Sequence, residues 1–176
     1  FHQYEPVIIS AFEQHSDQLM VAGGVSVIRE KDLHFGHEGS LAQSINRIPG
    51  VKMEERGVGG SRRLNIRGSA LRAPFGVRNS RVYYGGFALT SPDGSTPLEV
   101  IDLPMMESIE IVKGPASSLY GAGTGGAIIF NPKRIAEGVG KVELSGLMGS
   151  YGLGRADAKA MFGFKKGDLI LGYSTQ

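Results

Sequence analysis

The stretch GPASSLYGAGTGGAIIFNPK, residues 114–133, sets five glycines between two strand-like runs and constrains the chain more than any other feature. SIEIVKG, which leads into it, alternates apolar and polar residues, and AIIF, near its end, is a short apolar run closed by the breaker Asn131-Pro132. Gly121, Gly123 and Gly126 do satisfy G-x-G-x-x-G. A dinucleotide site, however, needs that triplet to follow a strand directly and to open the helix whose N-terminus receives the pyrophosphate. Here KGPASSLY separates the strand from the triplet, and a second strand follows it. A nucleotide-binding oxidoreductase domain resting on GAGTGG is therefore the secondary reading, separable by cofactor titration.

The remaining elements are short, and most read as strands. EPVIIS, residues 5–10, is a β-branched apolar run followed by a polar spacer over 13–18, and GVSVIRE, 24–30, alternates as a strand. In SLAQSINRIPG, 40–50, Leu41, Ile45 and Ile48 recur at helical spacing, Ser40 suits an N-cap and Pro49-Gly50 a stop. Strands are expected at VKMEE (51–55), RLNIR (63–67) and RVYYG (81–85), before a turn-rich loop, TSPDGSTP (90–97). Ser117 and Ser118 lack the G-x-S-x-G elbow of a nucleophile and are expected to cap a short turn in ASSLYG. Glycine supplies 27 of 176 residues with no collagen period, about twice the usual share, which fits a chain of turns and bends.

Little else points to chemistry. The chain has no cysteine, which excludes disulfide frameworks and thiolate metal sites. His2, His15, His34 and His37 have neither nucleophile nor metal spacing. No catalytic residue, metal or cofactor is expected, and a net charge of +2 points to no nucleic-acid partner. No apolar run approaches the roughly 18 residues of a transmembrane helix. Starting at Phe1 without an initiator methionine or a basic-then-apolar leader, the sequence reads as a processed or trimmed product.

IVKGPASSLYGAGTGGAIIFNPK closely resembles the signature near the end of the plug domain in TonB-dependent outer-membrane receptors. SINRIPGV resembles that family's helix-to-strand segment, LNIRG its arginine-glycine motif and EPVIISA its TonB box, and the four occur in family order. Two departures stand out. Gly85-Gly86 replaces the usual Asp-Gly after RVYY, and Lys113 replaces the usual arginine before Gly-Pro, removing a bidentate donor.

The resemblance implies an α+β plug domain with a small mixed sheet and short helices, followed by the first antiparallel strands of a transmembrane β-barrel. It implies an importer and not an enzyme, in the bacterial outer membrane, with the plug in the barrel lumen. Tight turns and close backbone approach in such a lumen favour glycine. The implied TonB box is Glu5, Pro6, Val7, Ile8, Ile9, Ser10 and Ala11, on the periplasmic side, which adds as a strand to the C-terminal domain of TonB. The ligand class that leads within the family is a ferric siderophore or another metal chelate. A receptor used mainly for signalling is a further alternative.

After the proposed plug, residues 141–152, 155–163 and 168–176 form three alternating segments. In the first, Val142, Leu144, Gly146 and Met148 share one face, with Glu143 and Ser145 on the other and Leu147 as an exception. This dyad pattern suits barrel strands that are apolar toward lipid and polar toward the lumen. Plugged transporters have about 22 strands of about 10 residues each, and only 41 residues follow Ile135. The expected organisation is thus a box and linker at 1–18, a plug at 19–135 and the opening strands of an incomplete barrel at 136–176.

Charge placement adds a separate expectation. Arg56, Arg62, Arg63, Arg67, Arg72, Arg78 and Arg81 fall in a run from residue 56 to 92 that contains no aspartate or glutamate. Buried guanidinium groups need partners, which carboxylates on a barrel wall would supply, and the resemblance implies that Arg67 and Lys113 latch there. Residues 68–81 and 86–97 read as the long loops that reach the outer face, where Arg72, Phe75, Arg78 and Phe87 would offer charge and aromatic surface to an anionic chelate. Asp93 reads as a turn residue, because a calcium site needs several oxygen ligands together.

Overall fold

The computed structural model describes residues 8–9, 11, 16–17, 23–33, 40–55, 62–69, 77, 79–114, 117–121, 125–152 and 154–175. They fall into two compact units, Phe1–Pro132 and Lys133–Gln176.

The first unit is built on a five-stranded mixed sheet whose strands lie in the order Gly24–Arg29, Met106–Lys113, Gly126–Pro132, Ser80–Tyr84 and Phe87–Ala88. Ahead of it, β1 (Ile8–Ile9) pairs antiparallel with β2 (Ser16–Asp17), so part of the expected polar spacer is a strand. β3 (Gly24–Arg29) runs into a single helical turn, α1 (Glu30–Leu33). Next, α2 (Leu41–Ile45) is capped by Ser40, whose Oγ accepts the Gln43 N–H. The Asn46 side chain then brackets β4 (Val51–Glu55), with Oδ1 accepting Met53 N–H at 2.6 Å and Nδ2 donating to the Met53 carbonyl at 2.9 Å. β4 forms a hairpin with β5 (Arg62–Ile66).

β6 (Ser80–Tyr84) and β7 (Phe87–Ala88) are joined by Gly85 and Gly86, both at positive φ, as a two-residue hairpin turn of the primed kind requires. The departure from Asp-Gly is therefore one of sequence and not of turn geometry. β8 (Met106–Lys113) and β9 (Gly126–Pro132) occupy the sheet centre, with one helical turn, α3 (Ser117–Tyr120), between them. Gly126, which would have to precede a helix in a nucleotide site, opens β9 instead.

Alternation along the central strands gives the sheet two apolar faces. One carries Ile109, Ile111, Ile128, Phe130 and Val82 and is covered by α2 and the β4–β5 hairpin through Leu41, Ile45, Met53, Leu64 and Ile66. The other is smaller: Val25, Val112, Ala127, Ile129 and Tyr120, covered by Ile9 and Ala11 from the N-terminal segment.

The second unit is a three-stranded antiparallel meander, β10 (Gly140–Met148), β11 (Gly154–Phe164) and β12 (Gly167–Thr175). The β10–β11 connection includes a 3-10 turn at Ser150–Gly152, and Lys165-Lys166 forms the second hairpin loop.

Candidate functional site

Arg67 is the non-glycine residue with positive φ (49°) among the described residues. Such a conformation costs a side-chain-bearing residue about 1–2 kcal/mol, and strain of this kind concentrates at functional positions. It arises in the tight turn that ends β5: Ser69 N–H donates to the Ile66 carbonyl at 2.9 Å, Arg67 N–H to Gly50 at 2.8 Å, and Gly68 follows at φ 81°. The guanidinium is thereby laid over two glycines, since a Cβ on Gly24 would meet it at 2.9 Å and one on Gly114 at 3.4 Å. Gly24 pairs with Lys113 in the sheet, and Lys113 Nζ reaches the Pro49 carbonyl at 3.4 Å. The two residues expected to act as a latch thus come together around the Pro49-Gly50 turn. Among the described residues no carboxylate pairs with either.

The neighbouring arginines behave differently from expectation. Arg62 Nε donates to Glu55 Oε1 at 2.8 Å and its NH1 to the Leu98 carbonyl at 2.7 Å, while Glu55 Oε2 also accepts from the α2 cap, Ser40. Arg63 lies 3.8 Å from Glu54. The β4–β5 register places Glu55 opposite Arg62 and Glu54 opposite Arg63, so cross-strand partners, not a distant wall, serve these two. Arg56, Arg72, Phe75 and Arg78 lie outside the described residues, as do the four histidines and Glu5, Pro6, Val7 and Ser10 of the box.

Phe87 sits on β7 and not in a loop, and it is 79% exposed. It follows the far end of β6 from Asn79, whose carbonyl accepts Gly125 N–H at the Gly126 end of the sheet. Asn79 and Phe87 therefore lie beyond opposite ends of β6. At the Phe87 end, burial and then the Asp102 carboxylate push the Tyr84 phenol up, keeping it protonated. The following loop closes on itself, with Thr90 and Thr96 hydroxyls 2.9 Å apart and Asp93 Oδ1 accepting from both Ser95 N–H and Oγ, the geometry of a turn residue. Among the described residues no three His, Cys, Asp or Glu side chains converge on a metal site.

Of the box, Ile8 is 57% exposed, whereas Ile9 and Ala11 are fully buried on the smaller face of the sheet. Their cover is anchored where Ala11 N–H donates to Glu110 Oε2 at 2.7 Å.

In the second unit the usual placement of side chains is inverted. Val142, Leu144 and Met148 on β10, Phe162 and Phe164 on β11, and Leu169, Leu171 and Tyr173 on β12 share one face by register and are exposed, Met148 at 95%. The opposite face carries Glu143, Asp157 and Lys159, and the last two are buried. There Lys159, Lys133 and Lys141 converge on Glu143 at 3.0, 3.5 and 2.6 Å, and Arg155 pairs with Asp157 at 2.9 Å. A sheet in water would hide the first face and hydrate the second. In detergent-free buffer residues 1–176 are expected to associate, whereas residues 1–132 sediment as a monomer; equal behaviour of the two would show that water tolerates this apolar face.

Among the described residues no helix is long and apolar enough to cross a membrane, which does not bear on strands. Comparison with known proteins gives a consistent picture. The chain is 32% identical over 141 residues to the probable TonB-dependent siderophore receptor PirA of Acinetobacter baumannii, covering 71% of this chain and 17% of that protein. It is 30% identical over 117 residues to the ferrioxamine receptor of Yersinia enterocolitica, covering 66% and 16%. It spans about a sixth of the length of these relatives, which are receptors. The outer-membrane ferripyoverdine receptor of Pseudomonas aeruginosa shares the fold, with a TM-score of 0.67 at 15% identity, over 97% of this chain and 23% of that one. The family model for the TonB-dependent receptor plug domain matches residues 17–128, from β2 into β9, and the chain belongs to that family.

Proposed function

We propose that the chain forms the plug and the first barrel strands of an outer-membrane receptor that binds a ferric siderophore or similar metal chelate and imports it with energy delivered through TonB. The observation that carries this reading is the inverted sheet of the second unit, with an apolar face open and charges covered, which suits strands between lipid and a polar lumen. The assigned organisation is a box and linker at 1–18, a plug at 19–135 and barrel strands from 136. The siderophore and ferrioxamine receptors named above support that ligand class.

Within this reading the box, Glu5 to Ala11, pairs with a TonB strand once released. Arg67 and Lys113, together at one end of the sheet with no carboxylate among the described residues, meet acidic groups of the barrel wall. Arg72, Phe75, Arg78 and Phe87 offer charge and aromatic surface to the chelate.

The test is uptake of radiolabelled ferric hydroxamate by cells that depend on the complete receptor, with and without TonB. Import that persists without TonB, or its absence for every ferric chelate tried, would overturn the reading. In the same receptor, changing Arg72 and Arg78 together to alanine is expected to weaken equilibrium binding at least tenfold, as the loss of two charge-assisted contacts at about 1.5–3 kcal/mol each would do. Unchanged affinity removes both from the site.

A further inference from the structure

Glu110 is an unusual residue for its position. It lies in β8, a central strand, is 2% exposed, and stands on the smaller apolar face beside Val112 and Ile129. A carboxylate is costly to bury there unless it is fully engaged. One oxygen, Oε1, accepts from Asn131 Nδ2 at 2.7 Å, and that amide also donates to Ser108 Oγ at 3.1 Å. Asn131 on β9 thus fixes the carboxylate, and Oε2 is presented to the backbone of a segment 99 residues away, where Ala11 N–H donates at 2.7 Å.

Among the described residues of the N-terminal segment the other holds are short. β1 makes two residue pairs with β2, and Ile8 is mostly exposed. Among the described residues, Ile9 and Ala11 are kept on the sheet by their own burial and by the charge-assisted bond to Glu110, a class roughly twice as strong as a neutral one. We propose that Glu110, positioned by Asn131, is the hook that holds the N-terminal segment down and sets how readily it lifts. When the segment leaves, the carboxylate regains water, and the Ala11 N–H is free for an acceptor on another chain. The hook therefore acts as a reversible catch. Its functional meaning rests on the box reading, whereas its existence is measurable on the chain alone.

The chain has no cysteine, so Ile9→Cys places a single thiol at a fully buried position of the segment, and its reaction with a water-soluble maleimide reports lifting. Met53→Cys, buried in the larger core, reports opening of the rest. Adding Glu110→Ala is expected to speed labelling at position 9 by about tenfold or more, the range for a lost hydrogen bond to a charged group, with position 53 changed less than about twofold. Glu110→Gln, which keeps the shape, and Asn131→Ala, which frees the carboxylate, should give smaller increases confined to position 9, and either serves if the alanine variant fails to fold. Unchanged labelling at position 9, or equal acceleration at both thiols, overturns the hook. Failure of TonB-dependent import would overturn the receptor reading and leave this labelling ratio untouched, so the two can fail separately.

Discussion

Replacing Gly126 with alanine is expected to lower the stability of the first compact unit by about 3 kcal/mol or more, the combined scale of backbone strain and overpacking in a closed core. Gly126 opens β9 at φ 121°, a conformation that L side chains rarely adopt. A Cβ built there would run into the Val112 carbonyl and stand only 3.1 Å from the Gly114 amide nitrogen. Both obstacles are backbone of the central strand or the residue just after it, so no side chain can swing aside. Gly86→Ala is the control: its φ of 92° is also positive, but nothing lies within 4 Å of the added methyl, and a loss of about 1–2 kcal/mol is expected from the conformation alone. Urea unfolding followed by circular dichroism separates the two, and equal midpoints would show that close backbone approach is not what requires glycine at position 126.

In the complete receptor, Ile8→Pro is expected to reduce chelate uptake to the level of cells lacking TonB while ligand binding stays within about twofold, because proline removes a pairing donor from a strand without emptying the core. The structure makes Ile8 the informative position. It is mostly exposed, whereas Ile9 is fully buried, so the same change one residue later would disturb the plug and the box together. Normal import by the Ile8→Pro receptor would show that strand addition through this segment is not how energy arrives.

Much of the architecture was legible because it rests on local patterns. The alternation of SIEIV, the helical spacing of Leu41 and Ile45 behind Ser40, and the breaker Pro49-Gly50 gave β8 and α2 to within a few residues. The dyad of Val142, Leu144 and Met148 set the side-chain faces of β10. What the sequence hid was pairing across distance. The run from residue 56 to 92 looked short of acidic partners when scanned along the chain, yet Glu54 and Glu55 lie just before it and meet Arg63 and Arg62 across a ladder. Ser16 and Asp17 carry no β-branched or aromatic signal, and they form a strand because Ile8 and Ile9 supply one to pair with. The Glu110 carboxylate had no reading at all, since its partner lies 99 residues away. The resemblance names Arg67 and Lys113 as a pair of latch residues, and only the fold shows both at the Pro49-Gly50 turn.

The order of strands in the five-stranded sheet has a mechanical consequence. A tether pulling from the N-terminus meets first β1, paired through two residues, and then β3, an edge strand bonded on one side to β8. β8 and β9 follow much later along the chain and are held on both sides. Among the described residues, load applied at that end meets strand attachments that grow with each step inward, so the cover of the small face is expected to yield before the larger core. Once the tether slackens, the intact core offers the same template for the segment to settle back, as a drawn bolt returns to its keeper.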